Sequence, residues 1–138
     1  MYIPRNVLRR IVDHAWSSYP VECCGLLVGR RDQVQVAEAV RNLHAGQRSD
    51  RFEIDPVDHV RVWEAARAAG CEVVGCYHSH PDGTARPSPL DRRLARRFGG
   101  PFGYLIVAVD EEGGWELFAG TIDEGGRIVE SPLEIEVG

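Results

Sequence analysis

The fold of this chain is best predicted from residues 78–91, HSHPDGTARPSPLD. An apolar run, residues 73–77 (VVGCY), comes directly before this stretch and is typical of a buried strand. Because residues i and i+2 of a strand project from the same face, the imidazoles of His78 and His80 can reach one point. Asp91 places a carboxylate eleven residues after His80. The stretch therefore predicts a strand that ends in a cluster of polar side chains.

Two imidazoles and one carboxylate are a common ligand set for catalytic zinc, because three protein ligands leave a fourth position for water or substrate. The pattern thus indicates a metal-dependent hydrolase. The alternative for His78 and His80 is that they are ordinary strand residues with satisfied hydrogen bonds, since histidine is often partly buried. Spacing alone leaves both interpretations open.

Asp91 also has two interpretations. The segment Ser88-Pro89-Leu90-Asp91 has the pattern of a helix start, with Ser88 as N-cap, Pro89 in the first turn and an acid three residues after the cap. The two roles are compatible, because a residue in the first turn of a capped helix is held rigidly, as a metal ligand must be.

The order and spacing of these residues resemble the JAMM motif of the MPN+ metalloproteases, in the Mov34/MPN/PAD-1 superfamily. That motif has an upstream Glu, then His-Ser/Thr-His-Pro, a short spacer and Ser-x-x-Asp. Here the histidine part is residues 78–81, and residues 88–91 supply the Ser-x-x-Asp part. Glu22 lies in residues 20–29, PVECCGLLVG, which are similar to the start of the family's first core strand. Residues 51–55, RFEID, also resemble a segment of compact bacterial members.

The resemblance implies an α/β fold: one domain over residues 1–138, with a mixed β-sheet flanked by helices, of the MPN/JAMM, cytidine-deaminase-like type. It implies that His78, His80 and Asp91 hold one Zn²⁺. Glu22 would act as general base and acid, taking a proton from the attacking water and passing it to the leaving amine. Ser88 would hydrogen-bond the oxyanion of the tetrahedral intermediate.

The family cleaves amide or isopeptide bonds after the C-terminal Gly-Gly of ubiquitin-like proteins. This chain has little room for the insertions of deubiquitinating members. It looks more like bacterial members that trim small sulfur-carrier proteins of ubiquitin-like fold. The alternatives are a deubiquitinase-like isopeptidase, a phage or cell-wall peptidase, or a non-catalytic MPN scaffold. Scaffold members usually lose zinc ligands, whereas all the motif residues are present here.

Composition agrees with a small soluble enzyme. The 138 residues are 43% hydrophobic and 27% charged, which predicts one domain with its own core. No run approaches the roughly 18 apolar residues of a membrane span, and no signal peptide precedes the first helical pattern, so we expect a cytoplasmic protein without membrane contacts. A formal net charge of −5 argues against general nucleic-acid binding.

The four cysteines do not form a Cys-x-x-Cys pair, which argues against a structural zinc knuckle. They are Cys23, Cys24, Cys71 and Cys76. In a cytosolic protein we expect reduced thiols, buried where they lie in core strands. Cys24, two residues after Glu22, is expected near the site, although the metal set already accounts for hydrolysis without a thiol nucleophile.

Periodicity and turn residues predict the remaining elements. Helices are expected at about residues 5–18, 56–69 and 89–98. Strands are expected at residues 24–30, 33–41, 51–54, 72–79, 103–109, 115–122 and 127–136.

The last predicted helix carries four arginines, Arg92, Arg93, Arg96 and Arg97. They predict either a solvated face or a docking patch for an acidic partner near the metal. The remaining histidines, His14, His44 and His59, have no metal-ligand spacing and are expected to be structural or exposed. We expect the three tryptophans in the core or at its edge; they are Trp16, Trp63 and Trp115.

Overall fold

The computed structural model describes residues 1–45, 52–97 and 100–137. Within these ranges the helices are α1 (Arg5–Ser18), α2 (Pro56–Ala68) and α3 (Pro89–Ala95). The strands there are β1 (Tyr2–Pro4), β2 (Cys24–Arg30), β3 (Gln33–Val40), β4 (Glu72–His80), β5 (Phe102–Val109), β6 (Trp115–Ile122), β7 (Ile128–Glu130) and β8 (Glu134–Glu136). The predicted α/β class with a mixed sheet is confirmed.

The strands form one sheet in the order β7-β6-β5-β4-β2-β3-β1-β8. The β4–β5, β1–β3 and β1–β8 pairs are parallel, and the other pairs are antiparallel. Strand β4, which ends in the histidine motif, therefore lies in the middle of the sheet between β2 and β5. A central strand is hydrogen-bonded on both sides, so its C-terminal end is a rigid support for a site.

Helix α1 covers one face of the sheet. Its buried side chains recur at helical spacing, as predicted, and they are Val7, Leu8, Ile11, Val12 and Ala15. They belong to a core cluster with Leu27 and Leu105 from the sheet. On this face His14 Nδ1 lies 2.7 Å from the hydroxyl of Tyr77, which gives His14 the structural role expected for it.

Helix α2 covers the opposite face, together with α3. It begins with Pro56 in its first turn, and the side chain of Asp55 caps it by accepting from the Val57 N–H at 2.9 Å. Only Val62 and Ala66 of α2 are buried. They pack in a second core cluster with sheet residues of β2, β4 and β5.

The prediction that all three tryptophans lie in or beside the core was too general. Trp63 and Trp115 are 45% and 48% exposed, whereas Trp16 is partly buried against the α1-side cluster. Trp63 instead packs its ring under the guanidinium of Arg67, 4.8 Å from the ring centroid. An exposed aromatic ring of this kind is stabilised by a local cation–π contact instead of by core packing.

Two expected elements differ from the observed ones. The strand predicted at residues 127–136 is two strands, β7 and β8, because Pro132 cannot donate a ladder hydrogen bond and the chain crosses there to a different partner. The Ser131 N–H still bonds Ala119 of β6, whereas the Glu134 N–H bonds Met1. The strand predicted at residues 51–54 is only a bridge between Ile54 and Asn42, and Arg51 lies outside the described residues.

Other boundaries shift by a few residues. The short strand β1 was not predicted, and α3 ends at Ala95 instead of near residue 98, which is outside the described ranges. Within the described residues, none of the helices is long and apolar enough to span a membrane. The four cysteines are free thiols, and Cys23, Cys24 and Cys76 are buried as expected, whereas Cys71 is partly exposed.

Candidate active site and metal centre

Four side chains from three separate segments of the sequence meet at the end of β4. His78 and His80 project from the same face of that strand as Cys76, which packs in the α2-side core. Asp91 joins them from the first turn of α3, and Glu22 joins them from the residues just before β2. One ligand atom from each of the four lies within 4.8 Å of all the others, and all four residues are buried.

The donor atoms of the two histidines and Asp91 have the spacing of a metal site. Nε2 of His78 lies 3.1 Å from Nε2 of His80, and Oδ2 of Asp91 lies 3.0 Å from His80 and 3.5 Å from His78. Tetrahedral zinc with bonds of about 2.0–2.1 Å separates its ligands by roughly 3.3 Å. The three donors therefore fit around one Zn²⁺ as they stand.

The loop after β4 orients His80. The Gly83 backbone is left-handed (φ 82°) and turns the chain back, so that the Thr84 carbonyl lies 2.7 Å from Nδ1 of His80. A carbonyl oxygen can only accept, so Nδ1 carries the proton and a neutral His80 turns an unprotonated Nε2 toward Asp91. A carbonyl partner of this type commonly fixes the orientation of metal-bound histidine.

The site favours a positive charge between its donors. Burial alone raises the pKa of Asp91, but hydrogen bonds from His78 and His80 outweigh it and hold that pKa well below its usual range. For His80, burial lowers the pKa, but Asp91 and the Thr84 carbonyl outweigh it and the net shift is upward. Burial keeps the pKa of His78 low. A proton or a metal cation is needed to balance the negative charge of the buried Asp91 carboxylate.

Aromatic rings enclose His78. The ring of Phe52 stacks on the imidazole at 4.2 Å between centroids, and Tyr104 of β5 meets it edge-on at 5.4 Å. These rings exclude water from the back of the site and fix the plane of the imidazole. Phe52 lies in the RFEID segment quoted above, but sequence reasoning did not assign it this contact.

Glu22 faces the metal-site triangle from the side of β2. Its Oε1 lies 3.8 Å from Nε2 of His78, and the residue is only 3% exposed. The β2–β4 ladder pairs Cys24 with His78, so continuing the antiparallel register places Glu22 opposite His80. The expected juxtaposition of Glu22 with the histidines is therefore present, and the carboxylate is not an exposed loop residue.

Ser88 lies at the start of α3, beside Asp91. Its Oγ accepts from the Asp91 N–H at 3.0 Å, and its own N–H donates to Oδ2 of Asp91 at 2.9 Å. The predicted capping box is thus confirmed. Because Oγ serves the cap as an acceptor, its hydroxyl hydrogen can still be donated to a group beside the metal site.

Two further residues hold the site together and were not singled out by sequence reasoning for this role. Ser79 turns away from the histidines, and its Oγ accepts from the Cys23 N–H at 2.9 Å. The buried side chain of Asn42 donates to the main-chain carbonyl of Glu22 at 2.9 Å. Asn42 comes from the segment after β3, where residue type and spacing carry no signal of such a contact.

The structure also places Cys24 and the four arginines that the sequence analysis singled out near the site. Cys24 lies beside His78 in the ladder, but burial raises its pKa strongly and its Sγ faces the Val40 carbonyl at 3.9 Å, which disfavours a thiolate nucleophile. Arg92 donates to the Ile128 carbonyl at 3.4 Å. The four arginines are exposed, as either a solvated face or a docking patch requires; they are Arg92, Arg93, Arg96 and Arg97.

Residues 4–119 match the family described as prokaryotic homologs of the JAB domain, which is most of the chain. The chain belongs to this prokaryotic JAB family. Sequence relatives agree with that membership. A desampylase from Haloferax volcanii is 37% identical over 107 residues, covering 76% of this chain and 75% of the relative. A second desampylase, from Pyrococcus furiosus, is 34% identical and covers 99% and 91%.

Two other relatives of this JAB-family chain have more specific names. A probable TtuB-protein conjugate cleaving protease from Thermus thermophilus is 33% identical, covering 70% of this chain and 64% of the relative. A CysO-cysteine peptidase from Mycobacterium tuberculosis is 26% identical and covers 98% and 90%.

Solved structures of similar fold agree with membership of the JAB family. A protein from Desulfitobacterium hafniense has a TM-score of 0.84 at 28% identity, covering all of this chain and 94% of that one. A structure described as a metalloprotease-like zinc site in the proteasome and signalosome has a TM-score of 0.54 at 28% identity, covering 99% and 98%. With the buried donor set, these likenesses make the chain a JAMM-type zinc metallopeptidase whose cofactor is one Zn²⁺.

Proposed function

We propose that this enzyme hydrolyses the amide bond that follows the C-terminal Gly-Gly of a small ubiquitin-like sulfur-carrier protein. The observation that carries the proposal is the buried group of Glu22, His78, His80 and Asp91, in which three donors match one zinc ion and a fourth carboxylate faces them. The names of the relatives supply the substrate class, since one is a probable TtuB-protein conjugate cleaving protease and another is a CysO-cysteine peptidase.

In this proposal His78, His80 and Asp91 hold the zinc. When bound, zinc supplies Lewis-acid polarisation and lowers the pKa of water toward neutrality. The protein's part is to keep its ligands in place: Thr84 fixes the tautomer of His80, and Phe52 fixes the ring plane of His78. Asp91 is held by the Ser88 N–H, so its carboxylate keeps its position without the metal.

Glu22 moves the proton. Hydrolysis of an amide needs a base to take a proton from the attacking water and an acid to protonate the departing nitrogen. The carboxylate of Glu22 serves both steps, because it lies 3.8 Å from His78 and thus next to the position of the reacting atoms. Its burial keeps bulk water from competing for that proton.

Ser88 stabilises the developing oxyanion. Its Oγ accepts from the Asp91 N–H, which leaves its hydroxyl hydrogen available for the carbonyl oxygen as negative charge builds there. A donor fixed by a helix cap needs little reorganisation during the reaction.

The proposed compartment is the cytoplasm. The supporting observation is that the four cysteines are free thiols, which suits a reducing environment.

A substrate panel tests the function. Zinc-loaded enzyme is given a carrier linked through its terminal glycine to cysteine, the same carrier linked to a lysine side chain of a peptide, and unrelated peptides of similar length. Mass spectrometry of the products should show the carrier ending in Gly-Gly from at least one linkage, with the unrelated peptides intact. Cleavage of unrelated peptides with both carrier adducts left uncut would refute the carrier assignment.

A further inference from the structure

We infer that Ser79 and Asn42 are positioning residues that hold the main chain around Glu22 against the metal centre, and that they act on turnover. The inference rests on the proposed role of Glu22 as the proton-transfer group. Neither side chain is among the four that converge on the metal position, and neither was assigned a role in the chemistry above.

Ser79 ties the residue after Glu22 to the histidine strand. It lies between His78 and His80 and has no exposed surface. Its main-chain N–H donates to the Cys23 carbonyl at 3.0 Å, and its Oγ accepts from the Cys23 N–H at 2.9 Å. Both main-chain polar groups of Cys23 are therefore bonded to the one residue that separates the two histidines.

These two bonds extend the β2–β4 ladder toward the site by one step. The ladder proper pairs Cys24 with His78, and Cys23 stands opposite Ser79 in the same register. An ordinary hydrogen-bonded antiparallel pair exchanges two main-chain bonds. Here a serine hydroxyl receives the Cys23 N–H in place of a carbonyl, so the hydrogen bond depends on the side chain. Replacing Ser79 by alanine removes that acceptor.

Asn42 holds Glu22 from the other side. Its Nδ2 donates to the Glu22 carbonyl at 2.9 Å. Its Oδ1 accepts from the N–H groups of His44 and Glu53, each at 3.0 Å. Main-chain N–H groups only donate, so they fix which end of the amide points at Glu22. The Asn42 side chain is buried, and its hydrogen bonds connect the main chain of Glu22 to that of His44 and of Glu53.

The two contacts fix where the Glu22 carboxylate stands relative to the metal ligands. Proton transfer requires donor and acceptor within hydrogen-bond reach, and a displacement near 1 Å can lower turnover about 100-fold. Loss of either contact lets the residues before β2 shift while the ligands on β4 and α3 keep their places. We therefore expect a defect in kcat with zinc retained.

The test compares Ser79→Ala, Ser79→Thr and Asn42→Ala with the parent enzyme. Ser79→Ala and Asn42→Ala should lower kcat about 10- to 100-fold, with KM within about twofold and zinc content unchanged. Ser79→Thr keeps the hydroxyl and should restore most of the loss. Ser17→Ala is the matched control, because Ser17 is exposed on α1 and its Oγ donates to the nearby His14 carbonyl; its kcat should equal that of the parent.

A second readout does not need a substrate. Amide hydrogen exchange of zinc-loaded protein should show a protected Cys23 N–H in the parent and faster exchange in Ser79→Ala, with Ser17→Ala unchanged. If the parent cleaves no carrier adduct, the proposed function fails. The exchange result still decides whether the Cys23 N–H is held by Ser79 Oγ.

Normal kcat in Ser79→Ala, or a loss that Ser79→Thr leaves unrestored, would overturn the role of Ser79. If Ser79→Ala does not fold, Asn42→Ala decides: full kcat there overturns the inference, and a low kcat with full zinc supports it.

Discussion

Oε1 of Glu22 stands 3.8 Å from Nε2 of His78, whereas Oδ2 of Asp91 stands 3.0 Å from Nε2 of His80. The difference separates two kinds of carboxylate within one buried group. Oδ2 of Asp91 also lies 3.5 Å from Nε2 of His78, so Asp91 is close to both histidine nitrogens, as a third metal ligand must be. The separation of 3.8 Å for Glu22 is the longest of these three, which suits a proton carrier beside the metal position.

The proposed role of Glu22 as proton carrier predicts that Glu22→Gln abolishes turnover and spares the metal. Glutamine keeps the shape of glutamate but cannot take a proton, so cleavage should fall by about 10²- to 10⁴-fold. Zinc per chain, measured by atomic absorption, should equal that of the parent. Glu64→Gln, at an exposed position of α2, is the matched control. Substantial cleavage by Glu22→Gln would remove Glu22 as the proton carrier.

Asp91→Ala and His80→Ala should lose zinc. Each removes one donor of the triangle, so both variants should contain far less zinc than Glu22→Gln prepared in the same way. Asp13→Ala, an exposed acid on α1, should retain the parent's zinc. If Asp91→Ala keeps as much zinc as Glu22→Gln, Asp91 is only a residue that starts α3.

Ser88→Ala should separate catalysis from metal binding at the helix start. Loss of an oxyanion donor is expected to slow kcat by about 10²- to 10³-fold. Loss of the N-cap should lower the free energy of unfolding by about 1 kcal/mol, measured by denaturant titration. Ser88→Thr keeps the hydroxyl in both roles and should stay close to the parent. An alanine variant with normal kcat would restrict Ser88 to capping.

Zinc affinity should fall as pH is lowered. Asp91 and the Thr84 carbonyl raise the pKa of His80, so the metal-free protein binds a proton there at higher pH than an ordinary histidine does. Zinc must displace that proton, and its apparent affinity should weaken as pH falls through this pKa. Competition with a chromogenic chelator at several pH values measures the effect. A pH-independent affinity would contradict His80 as a ligand.

Zinc should also stabilise the folded protein. The free energy of unfolding should rise with the concentration of free zinc, by about 4 kcal/mol at 1,000 times the dissociation constant, and this gain should be lost when zinc is removed. His80→Ala should show no such dependence.

Local signals explain which parts of the site were predictable. The common face of His78 and His80 follows from strand alternation, and Asp91 follows from the helix-start pattern at Ser88. Glu22 lies 56 residues before His78, and its role was reached only through the family motif. Asn42 and Phe52 meet the site by tertiary contacts that no spacing encodes.

The same contrast between local sequence signals and tertiary contacts applies to the fold. Helix α1 followed from its apolar spacing, because that face packs on the sheet. The change of partner strand at Pro132 could not be predicted. Residues 127–136 have strand-like composition throughout, and the pairing of β8 depends on where β1 lies. Trp63 was misplaced because aromatic residues are usually packed, whereas a nearby Arg67 stabilises it at the surface.

The most direct test of the account is the mass of the carrier that zinc-loaded enzyme releases from the lysine-linked and the cysteine-linked adducts. We predict a carrier that ends in Gly-Gly from at least one of the two adducts, and both adducts intact when Glu22→Gln with the same zinc content replaces the parent. Both adducts left intact by parent enzyme that carries one zinc per chain would contradict the account.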